Sequence, residues 1–241
     1  HHFLLRRLHS LSGLVPVGLF LFFHLFTNFQ LLVGDFQHEV DFIHNMPALY
    51  FMEVGLWLSI GFHAALGLWY TFSGARPNAI AYGYADNWRY TFQRITGIIA
   101  LIFIFVHIAH FRWRWEFLGP FMAFYVQHDG VDLASASVAV TLQNVGTSIF
   151  YLVGFLSVVY HFANGLWTMA LTWGVTITVG AQRRWGYVCA VIGLVLALFG
   201  IGALVGAWTY EISPEEQRAF QDAQASDTVQ GPEHGDEPIA H

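Results

Sequence analysis

Four histidines, His24, His63, His107 and His161, each stand inside a different long apolar run. An ionisable side chain within a membrane span is costly and normally marks a function. Imidazole can give one ring nitrogen to a metal while the other donates a hydrogen bond. Two imidazoles on opposite sides of one iron make a six-coordinate haem b, suited to electron transfer rather than oxygen chemistry. Zinc is the competing metal, but it wants its ligands clustered at one depth, and no cysteine or carboxylate lies at these levels. The plainest alternative is a buried histidine hydrogen-bonded to a neighbouring helix. The choice turns on how the chain positions the four.

The elements that must do so are membrane helices. The chain has 241 residues, is 56% hydrophobic and only 11% charged, against roughly 25% charged residues in soluble domains. Every basic residue is arginine. The single cysteine, Cys189, lies in an apolar run and excludes both an intrachain disulfide and a cysteine-ligated iron–sulfur cluster. A span needs about 20 apolar residues. Five segments qualify, roughly 11–33, 48–73, 91–111, 144–174 and 185–208. The first is too long for the h-region of a cleaved signal peptide. The expected fold is an all-α bundle of five transmembrane helices over residues 1–210, enclosing two haems. Residues 211–241 form an acidic tail, poor in large apolar side chains, that is expected to be exposed and weakly ordered.

Arginine placement gives the orientation. With the N-terminus cytoplasmic, the inner side carries Arg6, Arg7, Arg76, Arg89, Arg94, Arg183 and Arg184, and the outer side Arg112, Arg114 and Arg218. That is the positive-inside pattern. Acidic residues mirror it, with Asp86 alone inside. An odd number of spans then puts the C-terminus outside. Arg112, Trp113, Arg114, Trp115 and Phe117 suit an aromatic and basic interface belt. Beside a bilayer this interleaving does not read as a nucleic-acid surface.

Direction converts sequence position into depth, at about 1.5 Å per residue. Spans one and three run outward, so His24 and His107 fall in the outer half. Spans two and four run inward, so His63 and His161 fall in the inner half. Four positions become two layers, each with two histidines on helices of the same direction. Ala64, Ala65 and Gly67 after His63, and Ala163 and Gly165 after His161, would let a flat macrocycle approach, although tight helix packing uses small residues too.

The stretch RRLHSLSGLVPVGLFLFFHLFTN, with FHAALGLWY around His63, NWRYTFQRITGIIALIFIFVHIAH leading to His107 and YHFANGLWTMALTWG around His161, resembles the di-haem, five-helix cytochrome b anchor of succinate:menaquinone oxidoreductases. The resemblance covers about residues 3–210 and leaves out the tail. It implies that His63 and His161 ligate the inner haem b iron, and His24 and His107 the outer one. It also implies two partners, a flavoprotein carrying FAD and an iron–sulfur subunit that docks on this anchor. Electrons would pass from succinate through flavin and clusters to the inner haem, the outer haem and menaquinone, with no succinate chemistry on this chain. The implied location is the bacterial cytoplasmic membrane, where the complex can assemble into a higher oligomer.

Secondary sites follow from placement. His9, Ser10, Trp88, Gln93 and Arg94 gather at the inner ends of spans one and three, as contacts for inner-haem propionates or the docked subunit. Arg112 is the matching outer propionate candidate. Arg6 and Arg7 set orientation and touch the partner. Glu53, near the outer start of span two, is the candidate for proton exchange at a quinone site, with Asn28, His44 and His110 as further pocket residues. A helix N-terminal acid stabilised by the macrodipole is the competing account of Glu53. His38 and His128 read as loop residues, and His1, His2, His234 and His241 as terminal ones. Span four carries no carboxylate, so quinone protonation is expected from the outer aqueous side. The same architecture could run as a menaquinol:fumarate reductase. A di-haem subunit of a hydrogenase or formate dehydrogenase fits the RRLHS and HFANGLW stretches less well. A haem-free transporter predicts a colourless protein.

Overall fold

The computed structural model describes residues 2–34, 36–74, 83–113, 115, 127–128 and 131–229. Arg76, Arg114, Phe117, His1, His234 and His241 lie outside the described residues. Five helices are long and apolar enough to cross a bilayer: Phe3–Val33, Leu49–Ser73, Asn87–Phe111, Val145–Thr172 and Val179–Thr209. These are the five expected spans. Their ends differ most at the first, which begins at Phe3, because the arginines and leucines ahead of residue 11 are good helix formers.

The first span is α1 (His2–Ser12), a π-helical stretch (Gly13–Gly18) and α2 (Leu19–Val33). Pro16 lies inside the π-helical stretch. Proline has no N–H to give and crowds the preceding turn, and a wider π turn is one way to keep the helix going past it. Gly34, at φ 116°, stops α2 in the left-handed region that glycine tolerates. Then follow α3 (Phe36–His44), α4 (Leu49–Ser73), α5 (Ala85–Phe111), α6 (Ala134–Leu142), α7 (Val145–Thr172), α8 (Val179–Thr209) and α9 (Pro214–Val229). The only strands among the described residues are the two-residue antiparallel pair Gln127–His128 and Val131–Asp132.

In the core α2 runs along α8, and α7 packs between α5 and α8. A Cβ on Gly206 would strike the backbone of Leu31 and Leu32, so this glycine lets α8 and α2 touch backbone to backbone, as small residues do in membrane bundles. Leu25, Phe103, Tyr151, Phe155 and Leu196 fill the centre. In contrast, α4 carries no buried residue and leans mainly on α1 and the π-helical stretch.

The two ends of the bundle are built differently. The N-terminal end gathers α1, the ends of α4 and α7 and the starts of α5 and α8. Here Trp173 Nε1 donates to Ser10 Oγ at 2.9 Å and Arg94 Nη2 to the Tyr70 carbonyl at 3.2 Å. The far end is covered by three short helices. The small-residue helix α6, ASASVAVTL, is buried at all but one position. Gln37 Oε1 of α3 accepts from Ala134 N at 3.0 Å, satisfying one free donor at the start of α6. Gln143 Nε2 donates to the carbonyls of Ala207 and Tyr210 at 3.2 and 3.0 Å.

The first part of the tail is helical and mostly exposed, with two buried side chains. Ser213 and Glu216 form a reciprocal capping box: Glu216 N donates to Ser213 Oγ at 3.2 Å, and Ser213 N to Glu216 Oε2 at 2.8 Å. Ala219 and Phe220 are buried against Ala136 of α6. Two apolar side chains and a cap were enough to dock a helix that overall composition made look solvated. Residues beyond 229 lie outside the described residues.

Candidate functional site: two facing histidine pairs

The bundle brings the four histidines together two by two. The rings of His63 (α4) and His161 (α7) have centroids 6.1 Å apart with planes at 89°. Those of His24 (α2) and His107 (α5) are 5.6 Å apart at 73°. Two metal–imidazole bonds of about 2 Å on opposite sides of one metal put ring centroids roughly 6 Å apart. Among the described residues no three His, Cys, Asp or Glu side chains gather as a metal-binding group. Each facing pair offers two imidazoles, the number that a six-coordinate haem takes.

At the N-terminal end both rings are oriented by main chain from a neighbouring helix. His63 Nδ1 donates to the His9 carbonyl at 2.8 Å, and His161 Nδ1 to the Gln93 carbonyl at 3.0 Å. A carbonyl only accepts, so Nδ1 carries the proton in both rings and Nε2 keeps its lone pair. This is the arrangement that fixes the tautomer of metal-ligating histidines. The Gln93 side chain is itself fixed: its Nε2 donates to the His161 carbonyl at 3.1 Å, and its Oε1 accepts from Asn164 Nδ2 at 2.7 Å. The His9 ring stacks on His63 at 4.0 Å and 13°. Two glycines face the ring pair from the first and third spans. A Cβ on Gly97 would lie 2.8 Å from His161 Cε1, and one on Gly13 would strike the His63 ring. Gly67 and Gly165 face His9 and Gln93.

The far pair sits among aromatic rings. Phe20 stacks on His24 at 5.1 Å and Phe103 on His107 at 5.7 Å. Tyr151 Oη stands 3.4 Å from His107 Nδ1, a long contact. Asn28 Nδ2 donates to the His24 carbonyl at 2.7 Å and lies 3.5 Å from His24 Nε2, which places it beside His24.

The other expected residues divide. His9, Ser10, Gln93 and Arg94 gather around the N-terminal end, where Ser10 Oγ also donates to the Arg7 carbonyl at 2.9 Å. Trp88, at the start of α5, is 41% exposed and stacks on Phe92. Three buried atoms at this end have no hydrogen-bond partner among the described residues: Arg7 Nε, His9 Nδ1 and Tyr70 Oη. Each such atom costs about 1–3 kcal/mol, and all three suit an anionic group. At the far end Glu53 and Arg112, expected in separate roles, form a bidentate pair. Arg112 Nε and Nη2 donate to Oε1 and Oε2 at 3.0 and 2.9 Å. The hydrogen bonds to Glu53 raise the Arg112 pKa above its ordinary value. Trp57 stacks on Trp113 at 5.5 Å beside this pair in sequence. His110 is buried against Phe111, whereas His44 is exposed at the end of α3.

A relative extends this geometry to a family. The chain is 37% identical over 205 residues to the succinate dehydrogenase cytochrome b558 subunit of Bacillus subtilis (strain 168), covering 84% of this chain and 95% of the relative. The chain belongs to the succinate dehydrogenase cytochrome b subunits. No family model matches it. By this homology it is a membrane subunit of succinate dehydrogenase. The alignment length fits the sequence resemblance, which leaves out the tail. Sequence reasoning missed Gly13, Gly97, Tyr70 and Asn164 as parts of the site. Nothing in composition marks them, because each acts on a residue far away in the chain.

Proposed function

We propose that this subunit anchors succinate dehydrogenase in the bacterial cytoplasmic membrane and carries electrons across the bilayer to menaquinone. His63 and His161 would hold one haem b, and His24 and His107 a second. The observation that carries the reading is the pair of facing imidazole sets, with His63 and His161 each oriented through Nδ1 so that Nε2 is left for iron. When bound, such haems supply two low-energy electron stops within the membrane.

The chain's own residues do the positioning. The carbonyls of His9 and Gln93 hold two rings in one tautomer, and Asn164 holds Gln93. His9, Arg94 and Arg7 offer donors to propionates at the N-terminal end, which we read as cytoplasmic from the arginine asymmetry, and Ser10 ties Arg7 to Trp173 there. The arginines there also suit docking of an iron–sulfur subunit with its flavoprotein behind it. The unburied α4 supports the same reading, since a group wedged between α4 and α7 would add the packing that α4 lacks.

Glu53 is the candidate for proton exchange with quinone at the far, outer end. Arg112 keeps its carboxylate in place, so protonation and release of Arg112 would go together. Asn28, His44 and His110 are the remaining pocket candidates, of which Asn28 sits at the His24 ring.

A reduced-minus-oxidised spectrum of the purified complex tests the central reading. Two b-type haems per chain, reduced by succinate, are expected; absence of b-type haem would overturn it. For the quinone site, Glu53→Gln should keep both haems and slow quinone reduction by about 10²-fold, the scale of a lost acid–base group. Unchanged quinone reduction removes Glu53 from the mechanism.

A further inference from the structure

We propose that Tyr70 and His9 form a donor pair for a carboxylate of the macrocycle held between His63 and His161. The inference deepens the haem reading and rests on it. Neither atom has a hydrogen-bond partner among the described residues, and both are shut away from solvent; His9 Nδ1 donates in its Nδ1–H tautomer. They adjoin: the Tyr70 ring meets the His9 ring edge-on at 5.7 Å and 88°. His9 in turn stacks on His63. Tyr70 follows His63 by seven residues on α4, so it returns to the same helix face two turns, or about 10 Å, nearer the N-terminal end. The row His63, His9, Tyr70 therefore leads from the proposed ligand towards that end, the direction in which a propionate arm would extend.

Two neighbouring side chains, Ser10 and Gln93, are already engaged. Ser10 Oγ lies between the Arg7 carbonyl and Trp173 Nε1, and the Gln93 amide between His161 and Asn164. Arg7 stacks on Phe3 and Trp173, towards α7 rather than α4. Positive charge nonetheless stands beside Tyr70. Arg94 Nη2 binds its carbonyl, and the Arg6 guanidinium lies over its ring at 5.9 Å. Two neutral donors backed by two cations suit a carboxylate and not a second cation. A small reorientation that paired Tyr70 with His9 alone, or a contact with a docked subunit, would use the same atoms, so the test must see the carboxylate.

The test uses the intact complex carrying haem labelled with 13C at its propionates. Tyr70→Phe keeps the ring against His9 and removes only the hydroxyl. His9→Phe keeps the stack on His63 and removes Nδ1. Redox-difference infrared spectra should show an isotope-sensitive carboxylate band that moves in both variants. One haem's midpoint potential should fall, because a less solvated carboxylate disfavours the reduced state. The fall is expected to be up to a tenfold change in its one-electron equilibrium constant, about 59 mV. The other haem should not move. Two intact haems with wild-type bands and potentials in both variants would overturn the pair. A parent complex without b-type haem would overturn the haem reading itself, a different failure visible before any variant is made. Should Tyr70→Phe lose haem, His9→Phe carries the same comparison.

Discussion

The two ends of this bundle hold histidine pairs at similar separation by different means. At the N-terminal end both Nδ1 atoms are tied to carbonyls of neighbouring helices, and arginines, unpaired donors and a glycine on either side surround the rings. At the far end phenylalanines stack on both rings, polar contacts to the ring nitrogens are long, and α3, α6 and α9 form a roof. A main-chain hydrogen bond fixes tautomer and direction. Ring stacking is worth about 0.5–1.5 kcal/mol and fixes a plane, but it does not choose which nitrogen faces inward. The N-terminal pair is thus oriented by main chain of neighbouring helices. The far pair relies on apolar enclosure, and its end is closed over.

The sharpest way to break that comparison is to remove one histidine at each end. His161→Ala and His24→Ala should each lower the haem content from two to one per chain, measured on the purified complex. They should differ in what succinate then does. In His24→Ala the remaining haem still accepts electrons, because the pair at the docking end is intact. In His161→Ala the remaining haem should stay oxidised under succinate and reduce only with dithionite. Equal succinate reducibility in the two variants would sink the assignment of the N-terminal end as the electron entry.

A subtler contrast is available at the glycines. Gly97→Ala puts a methyl 2.8 Å from His161 Cε1, and overpacking of this kind costs about 1–3 kcal/mol. It should lower occupancy or shift the potential of one haem only. Gly154→Ala pushes on Phe103, which stacks on His107, and should act on the other. A redox titration that shows the same haem moving in both variants would erase the distinction between the two ends.

These glycines also mark where the sequence stops being readable. The five spans were legible, because a run of apolar residues needs no partner to declare itself. The histidine pairing was legible too, since arginine asymmetry gives each helix a direction and direction gives depth. What acts on those histidines was not. Gly13 and His9 reach His63 from the first span, on either side of a helix boundary that composition does not announce, and Tyr70 meets His9 from α4. The Glu53–Arg112 pair joins residues that depth alone had assigned to two different sites. The roof was missed for a related reason: α6 is too short and too rich in serine and alanine to look like a core element, and α9 docks through two side chains in an acidic segment.

The roof supplies the smallest test of the contrast, because it belongs to the far end alone. Tyr210 lies where α8 ends and donates to Glu216 Oε1 at 2.9 Å. Burial, then the hydrogen bond and charge of Glu216, push its pKa from 10.0 up to about 12. The unfolded or undocked segment loses its proton near pH 10, while the docked one keeps it until about pH 12. Between those values the undocked state binds fewer protons, so docking weakens as pH rises. The contribution is fully present below pH 10. Limited proteolysis should accordingly find α9 protected at pH 8 and cut progressively faster from pH 10 to 12. Tyr210→Phe removes the titrating group, and with it the bond to Glu216, worth about 0.5–1.5 kcal/mol. That variant should be cut somewhat faster at pH 8 and show little further change over the same range. A wild-type cleavage rate that does not respond to pH above 10 would mean that the Tyr210–Glu216 bond does not hold the roof. Over the same interval the spectrum of the haem at the N-terminal end should hold steady, since none of the groups that orient His63 and His161 touches α9.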